Sequence, residues 1–299
     1  MPIPRDERST QETSTVPTSV PRSGACHLLT FDVEHWYEGY RLRGRGGWEA
    51  FPPRDPDTVH RLLGLLAEHD QHATFFATGR FAAEFPDVVK AIVADGHEVA
   101  SHSFDHIPIH RIGGPPAFRD DLHRSVSLLR ELTGQPVLGF RAPCWAIADA
   151  SYRWVLDALA DEGLRYDSSR FVWGLPLGAR ATAPRMPHRL ALGAGGSLWE
   201  VPPSVLSIGP VRLPAAGGFY LRFFPEAAIG AALHQAAAAG RPGLLYLHPY
   251  DMDPGAPRLP APWYFTLMRY HRLGRTEGIL RRLLRSHRFM SIREWLADR

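Results

Sequence analysis

From Cys26 onward, short apolar runs alternate with longer stretches of helical spacing, and no other feature restricts the fold of this chain so strongly. The runs His27–Val33, Ala73–Thr78, His97–Ser101, Gly139–Arg141, Leu164–Tyr166, Leu198–Val201 and Gly243–Leu247 read as strands. Between them, Asp57–His69 sets Val59, Leu62, Leu63, Leu65 and Leu66 on one stripe behind a capping aspartate, which predicts a helix. Helices are also expected over Phe85–Ala94, Pro116–Leu132, Ser151–Glu162, Ala227–Ala239 and near Glu277–Ser286, with a strand-to-helix end at Phe289–Ala297. Gly174–Leu213 reads as a long elaboration with short strands, and Pro249–Leu273 as irregular. Parallel strands need crossover connections, so this alternation predicts an α/β chain with a mostly parallel sheet. Its repetition over about 250 residues favours a closed or nearly closed β/α barrel.

Barrels of this kind place their chemistry at the carboxyl ends of the strands. The polar residues of this chain fall there: Asp32 and Glu34, His102 and His106, Arg141, Asp167, and His248. Five strand ends carrying such residues predict one shared site.

The rest of the sequence limits the setting. Residues 1–24 are rich in Ser, Thr, Pro and charge without an apolar run, which predicts a disordered tail rather than a signal peptide or anchor. Residues 25–299 then form a single domain with a C-terminal extension. Hydrophobic and charged fractions of 44% and 22% are those of an ordinary globular protein. A formal charge of +3, spread along the chain, gives no nucleic-acid footprint, and no run is long enough for membrane insertion. The two cysteines, Cys26 and Cys144, form neither a disulfide framework nor a metal-binding pair, which fits the cytoplasm. The oligomeric state is open.

Four local patterns bear chemistry. Asp32-Val33-Glu34 sets two carboxylates on one face of a strand end, which suits a metal ligand beside a general base, or equally a pair of solvated acids. His102 and His106 would aim at one point if the segment turned helically past its strand, although fifteen histidines produce such pairs by chance. Arg141, followed by Pro143 and Trp145, could orient a catalytic carboxylate while Trp145 walls a pocket. His248 closes a late strand and can serve as general acid. Cys144 has no base nearby in sequence and reads as incidental.

In this order the motifs resemble the NodB-type polysaccharide deacetylases, carbohydrate esterase family 4. The correspondence runs through Asp32-Val33-Glu34, His102 to His106, Arg141-Ala142-Pro143-Cys144-Trp145, Tyr166-Asp167-Ser168-Ser169 and Leu247-His248. Phe31 to Trp36, Gly217-Gly218-Phe219-Tyr220, His248-Pro249-Tyr250-Asp251 and the tail from Arg275 resemble the subgroup found beside exosortase exopolysaccharide loci. The resemblance implies a distorted (β/α)7 barrel and one divalent metal, commonly zinc, with cobalt, nickel or iron as further options. It also implies Asp32 as base, Glu34, His102 and His106 as ligands, and His248 as acid. Most of the family has adjacent aspartates, whereas Val33 here moves the second acid one residue on. Trp36, Trp145, Tyr220 and Asp167 are the expected substrate-side residues, Asp167 alternatively supporting His248 or Arg141. The implied reaction removes an N-acetyl group from a sugar or polysaccharide. Alternatives are a small-molecule amide or cyclic-imide hydrolase on the same barrel, and an inactive carbohydrate-binding protein.

Overall fold

The computed structural model describes residues 24–145, 153–171, 183–193 and 195–299. The expected tail up to residue 23, Ser151 and Tyr152 of the helix expected over Ser151–Glu162, and part of the Gly174–Leu213 elaboration lie outside them.

In chain order the strands are β1 (Cys26–Val33), β2 (Thr74–Ala77), β3 (Glu98–Ser101), β4 (Gly139–Phe140), β5 (Tyr166–Asp167), β6 (His188–Ala191), β7 (Ser197–Glu200), β8 (Val205–Ile208), β9 (Val211–Pro214), β10 (Leu244–Leu247) and β11 (Arg288–Met290). The helices are α1 (Glu38–Arg41), α2 (Asp55–Ala67), α3 (Gly79–Glu84), α4 (Pro86–Ala94), α5 (Pro115–Thr133), α6 (Arg153–Asp161), α7 (Gly218–Phe223), α8 (Glu226–Ala238), α9 (Trp263–Tyr270), α10 (Thr276–Ser286) and α11 (Ile292–Leu296).

Nine strands form one sheet in the order β10-β1-β2-β3-β4-β5-β7-β6, with β11 added to β1. Every pairing is parallel except β6 with β7, and β8–β9 is a separate antiparallel hairpin. Between β7 and β10 the ladder is open, yet Ser204 reaches across: its N–H donates to Leu244 O at 3.0 Å, and its hydroxyl accepts from Leu244 N at 2.8 Å. The chain is thus a distorted (β/α) barrel, as the strand–helix alternation predicts.

Helices lie outside the sheet because their apolar stripes need its outer face. On α2, Val59, Leu62, Leu63, Leu65 and Leu66 are all buried, while the residues between them meet water. Phe76 and Tyr166 meet in the interior, while Phe31, Phe75 and Phe140 point to the opposite face, toward the helices, all at zero exposure. Burying each such ring contributes roughly 1.5–3 kcal/mol. Tyr166 fits only because β4 offers a glycine, since a Cβ at Gly139 would stand 1.9 Å from its ring. Two helices depart from expectation. An unexpected short helix, α3, precedes the one expected over Phe85–Ala94: Thr78 caps α3 by accepting Phe81 N at 3.3 Å, and Pro86 starts α4 afresh because it has no N–H to donate. The stretch expected to be irregular after Pro249 contains α9.

Among the described residues no helix is long and apolar enough to cross a membrane.

Candidate active site

Asp32 is the penultimate residue of β1 and Glu34 follows directly past its end, so strand alternation aims both into the mouth of the barrel, where they are 3% and 5% exposed. Asp32 is held by Arg141, whose Nη1 donates to Asp32 Oδ1 at 2.5 Å. Arg141 is wholly buried: Nε donates to Ser168 O, Nη2 to Ser168 Oγ, and the guanidinium lies 4.0 Å over the Phe76 ring and 4.8 Å from that of Trp145. A buried cation with these partners has one orientation, and so does the carboxylate it holds.

The two histidines meet, but not through a helix. The His102–His106 segment is a tight loop in which Ser103 (φ 64°) and His106 (φ 52°) adopt the left-handed region, at a cost of about 1–2 kcal/mol each. Neighbouring elements hold it there. The α5 carboxylate of Asp121 accepts Phe104 N at 2.8 Å and Asp105 N at 3.0 Å, Gly79 N donates to Ser103 O, and Ser103 Oγ accepts His106 N. The imidazole centroids end 4.9 Å apart.

Glu34, His102 and His106 each offer one ligand atom within 4.8 Å of the other two, and all three residues are buried. The donor set fits a divalent ion on two further counts. His102 Nδ1 lies 2.7 Å from Arg141 O, and a carbonyl can only accept, so Nδ1 carries the proton and Nε2 presents a lone pair. Glu34 Oε2 makes no hydrogen bond of good geometry although it lies 2.5 Å from His106 Nε2, so that oxygen is left to ligate. Two histidines and a carboxylate are a donor set that suits a divalent ion. Without an ion, burial would raise the Glu34 carboxyl, but His106 and then His248 and His102 hold it well below the usual range. Desolvation lowers His102 to about 4. His106 is raised against its desolvation by Glu34, with a further contribution from Glu38.

His248 follows β10, with Nε2 4.0 Å from Asp32 Oδ2 and 3.8 Å from Glu34 Oε1. Asp251 accepts its backbone N–H at 2.9 Å and faces its Nδ1 at 3.4 Å. Arg222 anchors Asp251 at 2.6 Å. Desolvation opposes charge on His248, but the Asp251 contact and the Glu34 charge raise its pKa above the ordinary value. Gly218 makes this packing possible, because a Cβ there would stand 2.0 Å from Asp251 Oδ2.

The sequence reading assigns no role to Glu38, Tyr250, Asp251 or Arg222. Glu38 places Oε2 3.7 Å from His106 Nδ1. Tyr250 donates to Glu34 Oε1 at 3.1 Å and stacks on His248 at 4.5 Å and 11°. Tyr250 and Asp251 follow His248 in the His-Pro-Tyr-Asp motif, which was the available signal; Glu38 and Arg222 left none.

Six expected residues therefore converge: Asp32, Glu34, His102, His106, Arg141 and His248. Asp32, Glu34, His102, His106 and His248 line one pocket together with Trp145, Cys144, Arg43 and Tyr250. It continues past Gly39, Arg43, His248 and Tyr250 into a groove lined by Phe219, Tyr220, Phe265 and Met268. Trp145 is thus on the wall and Tyr220 in the groove. Trp36 is placed elsewhere, 2% exposed among Tyr40, Phe51 and Phe265 because its backbone N–H is drawn to Asp55. Asp167 is also off the wall: wholly buried, it accepts from Ser169 Oγ, which in turn accepts Ala142 N at 2.7 Å. It braces the Arg141 segment from behind. Beside it stands Glu200, its register partner on β7; burial pushes Asp167 up to about 6 and Glu200 well above the carboxylate range. Cys144 lines the pocket, but although the residue is exposed overall, desolvation and then Glu34 push its thiol up to about 11, so it keeps its proton and is a poor nucleophile.

Residues 20–166 match the polysaccharide deacetylase family, and residues 168–297 match a domain of unknown function, DUF3473. A peptidoglycan deacetylase of Helicobacter pylori is 33% identical over 112 residues, 37% of this chain and 36% of that protein. A chitooligosaccharide deacetylase of Sinorhizobium fredii is 32% identical over 110 residues, 37% of this chain and 49% of the relative. The chain thus spans between about a third and a half of the length of these curated relatives. Among solved structures, a Mycobacterium smegmatis protein assigned as a polysaccharide deacetylase superposes with a TM-score of 0.60 at 23% identity, over 92% of this chain and 89% of its own. A CE4 family pseudoenzyme from Bacillus anthracis does so with a TM-score of 0.51 at 16% identity, over 93% and 67%. At these identities structural likeness establishes the fold alone.

Proposed function

We propose, from the membership of residues 20–166 in the polysaccharide deacetylase family, that this chain hydrolyses an N-acetyl amide on a sugar or polysaccharide, releasing acetate and a free amine. The observation that carries this reading is the convergence of Asp32, Glu34, His102, His106, Arg141 and His248 on one site. A divalent ion held by Glu34, His102 and His106, with zinc the best match to the donors, would polarise the amide carbonyl and acidify a water.

The remaining roles belong to the chain. Arg141 ties down one oxygen of Asp32 and leaves Oδ2 turned toward His248, so Asp32 can take the proton of the attacking water. His248, its pKa raised mainly through Asp251 and Glu34 against desolvation, enters the reaction protonated and gives its proton to the departing nitrogen. The backbone N–H of Cys144, in a turn that lines the pocket, is the proposed donor to the negative charge that grows on the carbonyl oxygen. Trp145 and Tyr250 confine the acetyl group.

The pocket opens into a groove, which favours a glycan over a small amide or cyclic imide. Two free thiols fit a reducing compartment, and on that ground we place the reaction in the cytoplasm. The test pairs metal content after chelator-free purification with acetate release from N-acetylglucosamine oligomers. Stoichiometric metal with acetate release is expected. Metal without release would favour a small-molecule substrate, and absence of both would leave a carbohydrate-binding protein.

A further inference from the structure

Helix α9 borders the groove and turns outward a chemistry that a water-facing helix does not carry. Four of its side chains are large, apolar or amphipathic, and exposed: Trp263 (77%), Tyr264 (48%), Leu267 (43%) and Met268 (48%). Spacing of four residues sets Trp263 beside Leu267 and Tyr264 beside Met268, so they share one face. The opposite face is buried, with Phe265 against Tyr40. Met268 also lines the groove that leads from the catalytic pocket. Across that groove Phe219 stacks on Phe223 at 5.4 Å and 29°, and Phe223 is itself 53% exposed. The apolar surface is therefore continuous with the mouth of the site.

Its border is positive. Arg43 lies 4.2 Å over the Phe265 ring, and Arg272 and Arg275 follow α9 directly, forming a basin with Phe223, Phe224 and Arg282. Among the described residues, no carboxylate reaches Arg43, Arg272 or Arg275. The nearby acids are engaged: Asp251 by Arg222, Asp253 by Arg54, Glu226 by Arg282, and Glu277 by Arg61 and Arg281.

We propose that α9, the Phe223 end of α7 and these arginines form a peripheral docking surface for an anionic phospholipid bilayer, with the groove opening beside the headgroups. Trp and Tyr, apolar in body and polar at one edge, belong at such an interface, and unpaired arginines meet a negative lipid surface. A second copy of the chain fits less well, because a two-fold contact would bring unpaired arginines against one another. The docking does not depend on the deacetylase reading, but it would deliver the site to glycans held at a membrane.

Vesicle co-sedimentation tests this with the full chain. It should bind phosphatidylcholine vesicles containing phosphatidylglycerol, with a blue shift of tryptophan fluorescence, and not vesicles of phosphatidylcholine alone. Trp263→Ala with Leu267→Ala, and separately Arg272→Gln with Arg275→Gln, should each weaken binding by about tenfold or more while thermal unfolding is unchanged. Asp32→Asn should bind vesicles like the parent, which separates a failure of docking from a failure of catalysis. Absent binding, equal binding to neutral vesicles, or full binding by both double variants overturns the proposal. So does a dimer in sizing chromatography that the Trp263→Ala, Leu267→Ala variant dissolves, or a raised KM for soluble oligomers in the absence of vesicle binding.

Discussion

Two carboxylates two residues apart do different work here because their partners differ. Asp32 faces a guanidinium, while Glu34 faces three imidazoles and a tyrosine hydroxyl. Asp32→Asn should therefore keep metal at the level of the parent and lose about 10²–10⁴ in kcat, read by metal analysis and acetate release on one preparation. His248 is the complementary case. Its raised pKa rests on Asp251 and Glu34, so Asp251→Asn should move the alkaline limb of the kcat/KM profile to lower pH as well as reduce the rate. An unmoved limb would assign that limb to another group. These residues were legible because strand ends repeatedly carried groups able to ligate or move protons. Glu38 and Arg222 were not, since a lone Glu in a four-residue helix and a lone Arg beside apolar neighbours look like ordinary surface residues until packing buries them.

At the scale of elements, the apolar stripes of α2, α5 and α10 located those helices, since burying a stripe of that spacing is what a helix does. The loop after β3 was illegible for a definite reason. His102 and His106 at a spacing of four suggest a helical turn, but Ser103 and His106 are left-handed and the loop is held by Asp121, seventeen residues beyond Phe104. No local preference encodes a constraint supplied from another helix. Asp121→Ala removes two hydrogen bonds to that loop, so it should weaken metal binding by about 10–100-fold in a competition titration with the far-ultraviolet spectrum preserved.

For the whole molecule, the boundary between the two family matches falls at residues 166–168, inside β5. The second match contributes β7, β10, β11 and His248 to the same sheet and site. Residues 24–167 alone should accordingly fail to unfold cooperatively in a calorimeter. Stability should also carry a pH signature from Asp55, which accepts Trp36 N and which burial raises to about 7. Because the folded state holds this proton more tightly than the unfolded one, its contribution is present at low pH and is lost as pH rises toward 7. Asparagine keeps the acceptor without the charge. The Tm of Asp55→Asn relative to the parent should therefore improve between about pH 5 and about pH 8.

Strand β1 takes β10 as a neighbour from a segment 216 residues further along, as the bond from Gly243 N to His27 Nδ1 records. At ordinary ribosomal speeds that separation is roughly 10–40 s of synthesis. For all of that time the strand bearing Asp32 is outside the ribosome with one edge unpaired, an apolar ribbon open to any passing strand. The last turns of the chain, β11 on Cys26–Leu28 and α11 on Thr74, arrive later still. Production of this protein in a foreign host should thus be governed by translation rate and chaperone supply, and slower growth should help only where holdase capacity keeps pace.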